Sequence, residues 1–260
     1  MEIIVKAVIL AGGLGTRLSE YTREIPKPMV KIGNAPILLH IMDLYASYGV
    51  TDFVVLAGYR GDVIKRFFSG LKDELDDFTI SLSSGRKVYH GSRTREWNVT
   101  VVDTGLHTQT GGRLLRAQNF LSGQRFFMTY GDGLSSVNLD ELLRKHEELR
   151  TTVTLTAVRP VARFGEVEIR DGKVASFEEK PQLNSGLING GFFVCEPSVF
   201  EYLGGDSTVW EREPLEQLTR EQKLGAYVHE GFWHCMDTKR DRDHLEDLIQ
   251  QGSTPWERRD

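Results

Sequence analysis

Residues 3–11, IIVKAVILA, form an almost unbroken apolar run that passes directly into GGLGTRL. A run of this kind shows no alternation of apolar and polar positions, so it reads as a strand covered on both faces. That requirement points to a layered α/β sheet rather than a half-exposed antiparallel one. The glycines at its end, Gly12, Gly13 and Gly15, leave backbone N–H groups free to face an anion without Cβ interference. Arg17 adds a fork-shaped cation, and Lys27 adds a second one on a segment stiffened by Pro26 and Pro28. A glycine turn with an arginine and a lysine suits a polyphosphate. The same residues also read as a tight turn carrying two solvated cations.

Two familiar phosphate loops do not match. A dinucleotide fingerprint needs a third glycine after Gly13-x-Gly15, where this chain has Thr16, Arg17 and Leu18, and no acidic residue closes the second strand to hold a ribose. A Walker loop needs Gly-Lys-Ser/Thr at its end. An NAD-dependent enzyme is therefore disfavoured.

The rest of the chain alternates strand and helix. The segment 36–48 is amphipathic, with Ile37, Leu38, Ile41, Leu44, Tyr45 and Tyr48 on one face, Pro36 in the first turn and Gly49 just past the end. Strands are predicted at 51–59, 78–82, 99–105, 125–133 and 152–160. Helices are predicted at 61–69, 113–121 and 138–150, the last capped by Asn138. Residues 83–97 read as a basic loop with Arg86, Lys87, Arg93 and Arg95. After 160 the character changes. Residues 166–180 suggest a hairpin on an Asp-Gly turn, 187–197 a strand, 209–223 a helix, 226–238 a strand then a loop, and 239–250 a last helix. The fold class is α/β, with a mixed central sheet and a small β-rich region on the substrate side. The chain reads as one domain over 1–260, with 1–150 mainly binding nucleotide and 151–260 mainly building a substrate wall.

Composition narrows the function. The 260 residues carry 32 basic and 37 acidic side chains, a net charge of −5, which disfavours non-specific nucleic-acid binding. The apolar N-terminus is too short to span a membrane and lacks a signal-peptide layout, so the expected setting is cytoplasmic, away from membranes. Cys195 and Cys235 match no zinc spacing.

At this point particular motifs speak. LAGGLGTRL with KPM resembles the signature of the sugar-1-phosphate nucleotidyltransferases. GYRGDVIKRFF, WNVTVVDTG, TQTGGR, TYGDG, RFGEVEI, FEEKP, NGGFFV, WEREPLEQL and GFWxxMDTxRD extend the likeness along the chain. Their combination is similar to the glucose-1-phosphate cytidylyltransferases. The resemblance implies a Rossmann-like nucleotidyltransferase fold. It also implies transfer of a cytidylyl group from CTP to α-D-glucose 1-phosphate, with Mg²⁺ as cofactor, in a homo-oligomer that is typically a hexamer.

Such a transfer brings two anions together, and a sugar-phosphate oxygen is already ionised. The work falls to a metal, cations and backbone amides rather than to a base. The resemblance makes Asp132 and Asp237 the Mg²⁺ ligands, and carboxylate oxygens suit a hard cation. Each also has a plain reading, Asp132 as a turn residue between two glycines and Asp237 as a turn or cap before 239–250, where Thr238 would serve as well. By resemblance, Leu10, Ala11, Gly12, Gly13, Gly15, Thr16, Arg17 and Lys27 cradle the triphosphate. Thr104, Gly105, Gly111 and Gly112 wall the cytosine and ribose, with Arg113 in reach of a phosphate; TQTGGR reads equally as a loop capping the next helix. Lys180 is assigned to the phosphate of the sugar. Tyr130, Gly165, Glu178, Asn189, Gly190 and Trp233 are assigned to the sugar phosphate side, with Trp233 either on a sugar face or in the core. Leu187, His234 and Cys235 depart from the family pattern near the sugar, so they bear on which hexose is used. A nucleophilic Cys235 is disfavoured because adjacent strand residues face opposite ways. A non-catalytic nucleotide-sugar binder would lack one of Arg17, Lys27, Asp132 or Asp237, and all four are present. A nucleotidyltransferase for another phosphorylated substrate fits the same residues.

Overall fold

The computed structural model describes residues 6–91, 95–121, 123–160, 166–170, 173–178 and 186–258, with the side chains of 166–178 outside that description. The apolar run forms the strand Lys6–Ala11 at the centre of a mixed sheet. It pairs in parallel with Asp52–Ala57 on one side and Phe126–Tyr130 on the other, and Asn98–Asp103 adds a further parallel strand beyond Asp52–Ala57. Beyond Phe126–Tyr130 the direction reverses at Phe193–Cys195, and Val153–Val158 follows, antiparallel to it and parallel to Leu224–His229. One sheet thus draws strands from both halves of the chain.

Alternate residues of the first strand enter two separate cores. Ala7, Ile9 and Ala11 pack with the Ile37–Ser47 helix, and Val8 and Leu10 pack with Leu114, Trp210 and Leu218 on the other face. Both faces are covered, as the sequence demands. The fold is a Rossmann-like α/β fold with a mixed sheet. No helix among the described residues is long and apolar enough to cross a membrane.

Several expected boundaries move, each for a tertiary reason. The short helix at 61–69 runs on through Gly61–Leu75, because Ile64, Phe67, Phe68 and Leu71 continue the apolar spacing onto the core. The strand at 78–82 is Asp77–Ile80, and it leaves the sheet to form a hairpin with Lys87–His90, inside what reads as a loop. Its residues Phe78, Ile80, Leu82 and Val88 are exposed. The expected strand 187–197 is two short pieces, Ile188–Asn189 and Phe193–Cys195, broken where Gly191 and Phe192 take positive φ. The helix expected at 113–121 spans Thr110–Arg116, followed by a 3₁₀ turn, and the one at 209–223 spans Glu213–Arg220. The predicted hairpin is Glu166–Arg170 paired with Lys173–Glu178. Two caps fall as read: Asn138 accepts from the N–H groups of Asp140 and Glu141, and Thr238 opens Lys239–Gln250 with a capping box.

Candidate active site

The first strand delivers its chain to a loop at the carboxyl edge of the parallel strands, where ligands of open α/β sheets bind. Gly13 faces open space. Gly15 sits at φ +62°, and the Thr22 hydroxyl donates to its carbonyl at 2.9 Å. Pro26, in extended backbone, then starts the turn Lys27–Met29, with Pro28 packed against Gly131. This stiff turn aims Lys27 across the crevice.

Lys27 and the two aspartates form the centre of the site. The Lys27 ammonium donates to Asp132 Oδ2 at 2.6 Å and to Asp237 Oδ1 at 2.7 Å, with its side chain only 12 % exposed. Arg17, 71 % exposed, donates to the other oxygen of Asp237 at 2.6 Å. Burial alone would lower the pKa of Lys27. The Asp132 charge and the hydrogen bonds to both carboxylates outweigh it and hold the ammonium well above its ordinary range.

Backbone register explains why two acids 105 residues apart in sequence meet. The strand Trp233–Cys235 pairs antiparallel with Gly133–Ser135, setting Cys235 opposite Gly133, and the Met236 N–H donates to the Asp132 carbonyl at 2.9 Å. Asp237 is not itself the helix cap. Thr238 takes that place, and Asp241 Oδ2 accepts from the Asp237 N–H at 3.1 Å and the Thr238 N–H at 2.7 Å. The Asp237 side chain is thereby left to the crevice.

One oxygen each from Asp132 and Asp237 and the Cys235 sulfur lie within 4.8 Å of one another. Alternation along the strand therefore turns His234 away, toward Asp241 and the ring of His244, but brings Cys235 to the same side as Asp237. His234 and Cys235 thus face opposite ways, as the alternation along a strand predicts, and Cys235 is the one beside the carboxylates. Burial first, then the Asp132 charge, pushes the Cys235 thiol far up, so it stays protonated. The two carboxylates are the hard donors, and they fit a small divalent cation that completes its shell with water or phosphate oxygens.

Two cavities meet at this pair. The larger, about 580 Å³, is walled by the loop from Leu10 through Arg17 (Leu10, Ala11, Gly12, Gly13, Gly15 and Thr16 among them), by Lys27 and by Leu106 to Thr110. The smaller, about 370 Å³, holds Asn189, Gly190, Trp233, His234 and Cys235. Arg17, Tyr130, Asp132 and Asp237 belong to both. Trp233 stands between its two expected places, core and cavity wall. It packs partly on the core, its indole N–H donates to the Gly190 carbonyl at 2.8 Å, and its ring lines the smaller cavity.

Four residues expected on the base wall sit elsewhere. Thr104 is fully buried and donates to the Ala57 carbonyl, and Gly105 faces a neighbouring groove. Gly111 and Gly112 lie inside the helix, their N–H groups donating to the Thr208 carbonyl. A Cβ on either would strike the 206–208 segment, so these glycines serve packing rather than approach of a base. Arg113 reaches the crevice but not as a phosphate clamp. Its guanidinium donates to Thr104 Oγ1 and to the carbonyls of Gly12, Ala57, Gly105 and Leu106, tying three loops together. It packs so close to Gly12 that a Cβ there would fall 2.2 Å from it. Of the 106–110 stretch lining the larger cavity, Leu106 and His107 escaped the sequence reading, while Thr108, Gln109 and Thr110 lie in the TQTGGR motif. The signal for Leu106 and His107 was their place between a strand end and that motif. Gly165 and Lys180 lie outside the described residues, as does the side chain of Glu178.

Fold and site together define an α/β protein whose glycine loop, paired cations and paired carboxylates face one split crevice. A family model described as nucleotidyl transferase matches residues 6–234, and the chain belongs to that family. It is 47% identical over 252 residues to a glucose-1-phosphate cytidylyltransferase of Salmonella typhimurium, covering 96% of this chain and 98% of that one. It is 32% identical over 251 residues to a mannose-1-phosphate guanylyltransferase of Arabidopsis thaliana, covering 94% of this chain and 63% of the relative. Among solved structures, HddC from Yersinia pseudotuberculosis superposes with a TM-score of 0.70 at 23% identity, covering 95% of this chain and all of that one, a likeness of fold.

Proposed function

We propose that this enzyme transfers a cytidylyl group from CTP to α-D-glucose 1-phosphate, yielding CDP-glucose and pyrophosphate. The observation that carries the reading is the junction of the two cavities at Asp132 and Asp237. A nucleoside triphosphate on the glycine-loop side and a sugar phosphate on the Asn189–Trp233 side would bring their phosphates together there. The named relative at 47% identity supports cytosine and glucose as the pair.

An oxygen of the sugar phosphate attacks the α-phosphorus of CTP, and the bond from that phosphorus to pyrophosphate breaks. The attacking oxygen is already ionised, so no side chain need remove a proton. Asp132 and Asp237 would hold Mg²⁺, which when bound supplies positive charge between the two phosphates. Lys27 and Arg17 stand beside the carboxylates and neutralise charge gathering on the departing pyrophosphate. The loop amides around Gly13 fix the triphosphate, and Lys180, by family resemblance, takes the phosphate of the sugar. The exposed apolar residues of the Asp77–His90 hairpin support assembly into a homo-oligomer.

A second reading, a different sugar phosphate on the same site, is favoured by His234 and Cys235 lining the smaller cavity. Pyrophosphate release measured for the four common NTPs against the 1-phosphates of glucose, mannose and N-acetylglucosamine separates the two. Highest kcat/KM with CTP and glucose 1-phosphate is expected. Preference for another sugar establishes the second reading, and no release with any pair overturns both.

A further inference from the structure

The GYRGDVIKRFF motif lines neither cavity, yet its second residue holds both ends of the loop that walls the larger one. The motif begins where the strand Asp52–Ala57 ends, and the register that sets Ala57 beside Ala11 brings Tyr59 to Gly12. The Tyr59 N–H donates to the Gly12 carbonyl at 3.2 Å, at the entry of the loop. Its hydroxyl donates to the carbonyls of Thr22 at 3.0 Å and Arg23 at 2.9 Å, at the exit. A phenol has one hydrogen, so the two oxygens share it. The residues on either side suit this placement. Gly58 leaves room for the Arg113 guanidinium, which a Cβ there would meet at 2.2 Å, and Arg60 takes φ +51° to turn the chain into the Gly61–Leu75 helix.

Between its two ends the loop has little structure of its own to keep its shape. Thr16–Leu18 is a single 3₁₀ turn and Ser19–Thr22 a single helical turn, each without a side-chain cap. Turns this short do not persist alone, because each fixes more backbone freedom than its few hydrogen bonds offset. Gly12, Gly13 and Gly15 add further freedom. Leu18 is fully buried, and the Thr22 hydroxyl donates to the carbonyls of Gly15 at 2.9 Å and Leu18 at 3.0 Å. Those contacts fold the loop on itself, and Tyr59 fastens it to the sheet. Arg17 rides on this loop and reaches Asp237, and Lys27 follows Arg23 by four positions.

We infer that Tyr59 is a positioning residue that clamps the glycine loop across its mouth and so sets the loop amides and Arg17 for the triphosphate. This rests on the function proposed above for the identity of the nucleotide. Tyr59→Phe tests it in the full chain, since the variant keeps the ring and removes only the hydroxyl. The first measurement is limited digestion by trypsin well below the melting temperature, with the fragments identified by mass. Arg17 and Arg23 are exposed, and cleavage after either needs the loop to open. Loss of a neutral hydrogen bond should speed cleavage after these two about fivefold, with cleavage elsewhere unchanged. The second is pyrophosphate release. The KM for CTP should rise about fivefold and that for glucose 1-phosphate by less than about twofold. Thr22→Val, which frees two carbonyls of the same loop, should show the same split. Unchanged cleavage after Arg17 and Arg23, or an unchanged KM for CTP, overturns the inference. So does faster cleavage at every site with both KM values rising together, the mark of a merely structural role. A wild type that releases no pyrophosphate sinks the functional reading, and the trypsin rates then decide the clamp on their own.

Discussion

Replacing Lys27 by methionine removes the ammonium that bridges Asp132 and Asp237 while keeping the length of the side chain. Two charge-assisted hydrogen bonds disappear, each contributing about 1.5–3 kcal/mol when well formed. Two carboxylates are left facing each other with oxygens within 4.8 Å, a repulsion of about 3.5 kcal/mol at an effective dielectric of about 20. Arg17 still neutralises part of Asp237, and water reaches the pair once the ammonium is gone, so both figures shrink. A net loss of about 2 kcal/mol follows, a fall in Tm of about 4–8 °C for a chain of this size. Turnover should drop about 10²–10³-fold, the usual effect of deleting one preorganised charge from a reaction centre. The assay with most power is a thermal melt with and without Mg²⁺. In the wild type the ammonium competes with an added cation for the same oxygens. In Lys27→Met the cation has them to itself, so Mg²⁺ should raise Tm more in the variant than in the wild type. Equal Mg²⁺ responses, or a variant melting like the wild type in the absence of metal, would refute the bridging argument.

Asp132→Asn keeps the shape but removes one hard anionic donor. Turnover should fall at least about 10²-fold with the fold intact, and near-normal Mg²⁺-dependent pyrophosphate release would dismiss its role as metal ligand. Asp241→Ala removes the acceptor for the Asp237 and Thr238 N–H groups. A cap loss of about 1 kcal/mol should accompany a fall in kcat, and a variant that melts lower with unchanged kcat would show that Asp241 serves the helix alone. His146 is buried, with Nδ1 on Thr154 and Nε2 on Glu196. Burial lowers its pKa in the fold, while Glu196 works the other way. A group depressed in this way favours the fold above its unfolded value near 6.5 and loses that contribution as pH falls through it. Tm should therefore decline from pH 7 toward pH 5, and His146→Gln should flatten that decline; an equally steep slope in the variant assigns it to other groups.

The legible parts of this fold are those that local chemistry decides. The first strand announced itself because burial on both faces leaves no polar alternation. The caps at Asn138 and Thr238 were readable because the acceptor and the amides it serves lie within three residues of each other. The misread boundaries were set by distant partners. The helix at Thr110 begins early because carbonyls of Asp206 and Thr208 receive its first N–H groups, and nothing near Thr110 encodes that. The hairpin at Asp77–His90 could not be told from a sheet strand followed by a loop. Its apolar positions are exposed in this chain, so burial did not mark them.

The same division governs the site. Arg17 and Lys27 stand on glycine-rich and proline-stiffened segments that suit an anion, Asp132 and Asp237 were singled out by family resemblance, and the four converge. The glycines after Asp103 misled because a missing Cβ says only that something comes close, not what. At Gly12 that neighbour is Arg113, and at Gly112 it is the backbone of Asp206. Arg113 illustrates the limit most directly. A cation beside a phosphate-sized crevice invites assignment to phosphate, yet five oxygens of the protein already take its donors. Whether a buried cation serves the ligand or the loops depends on how many acceptors the fold brings to it. Glu211 is the converse case. It lines neither cavity, and only the closing of the Thr208 segment onto the Thr110 helix brings its carboxylate to the Thr110 hydroxyl. Residues that act through a neighbour become visible only when the packing that supplies the neighbour is known.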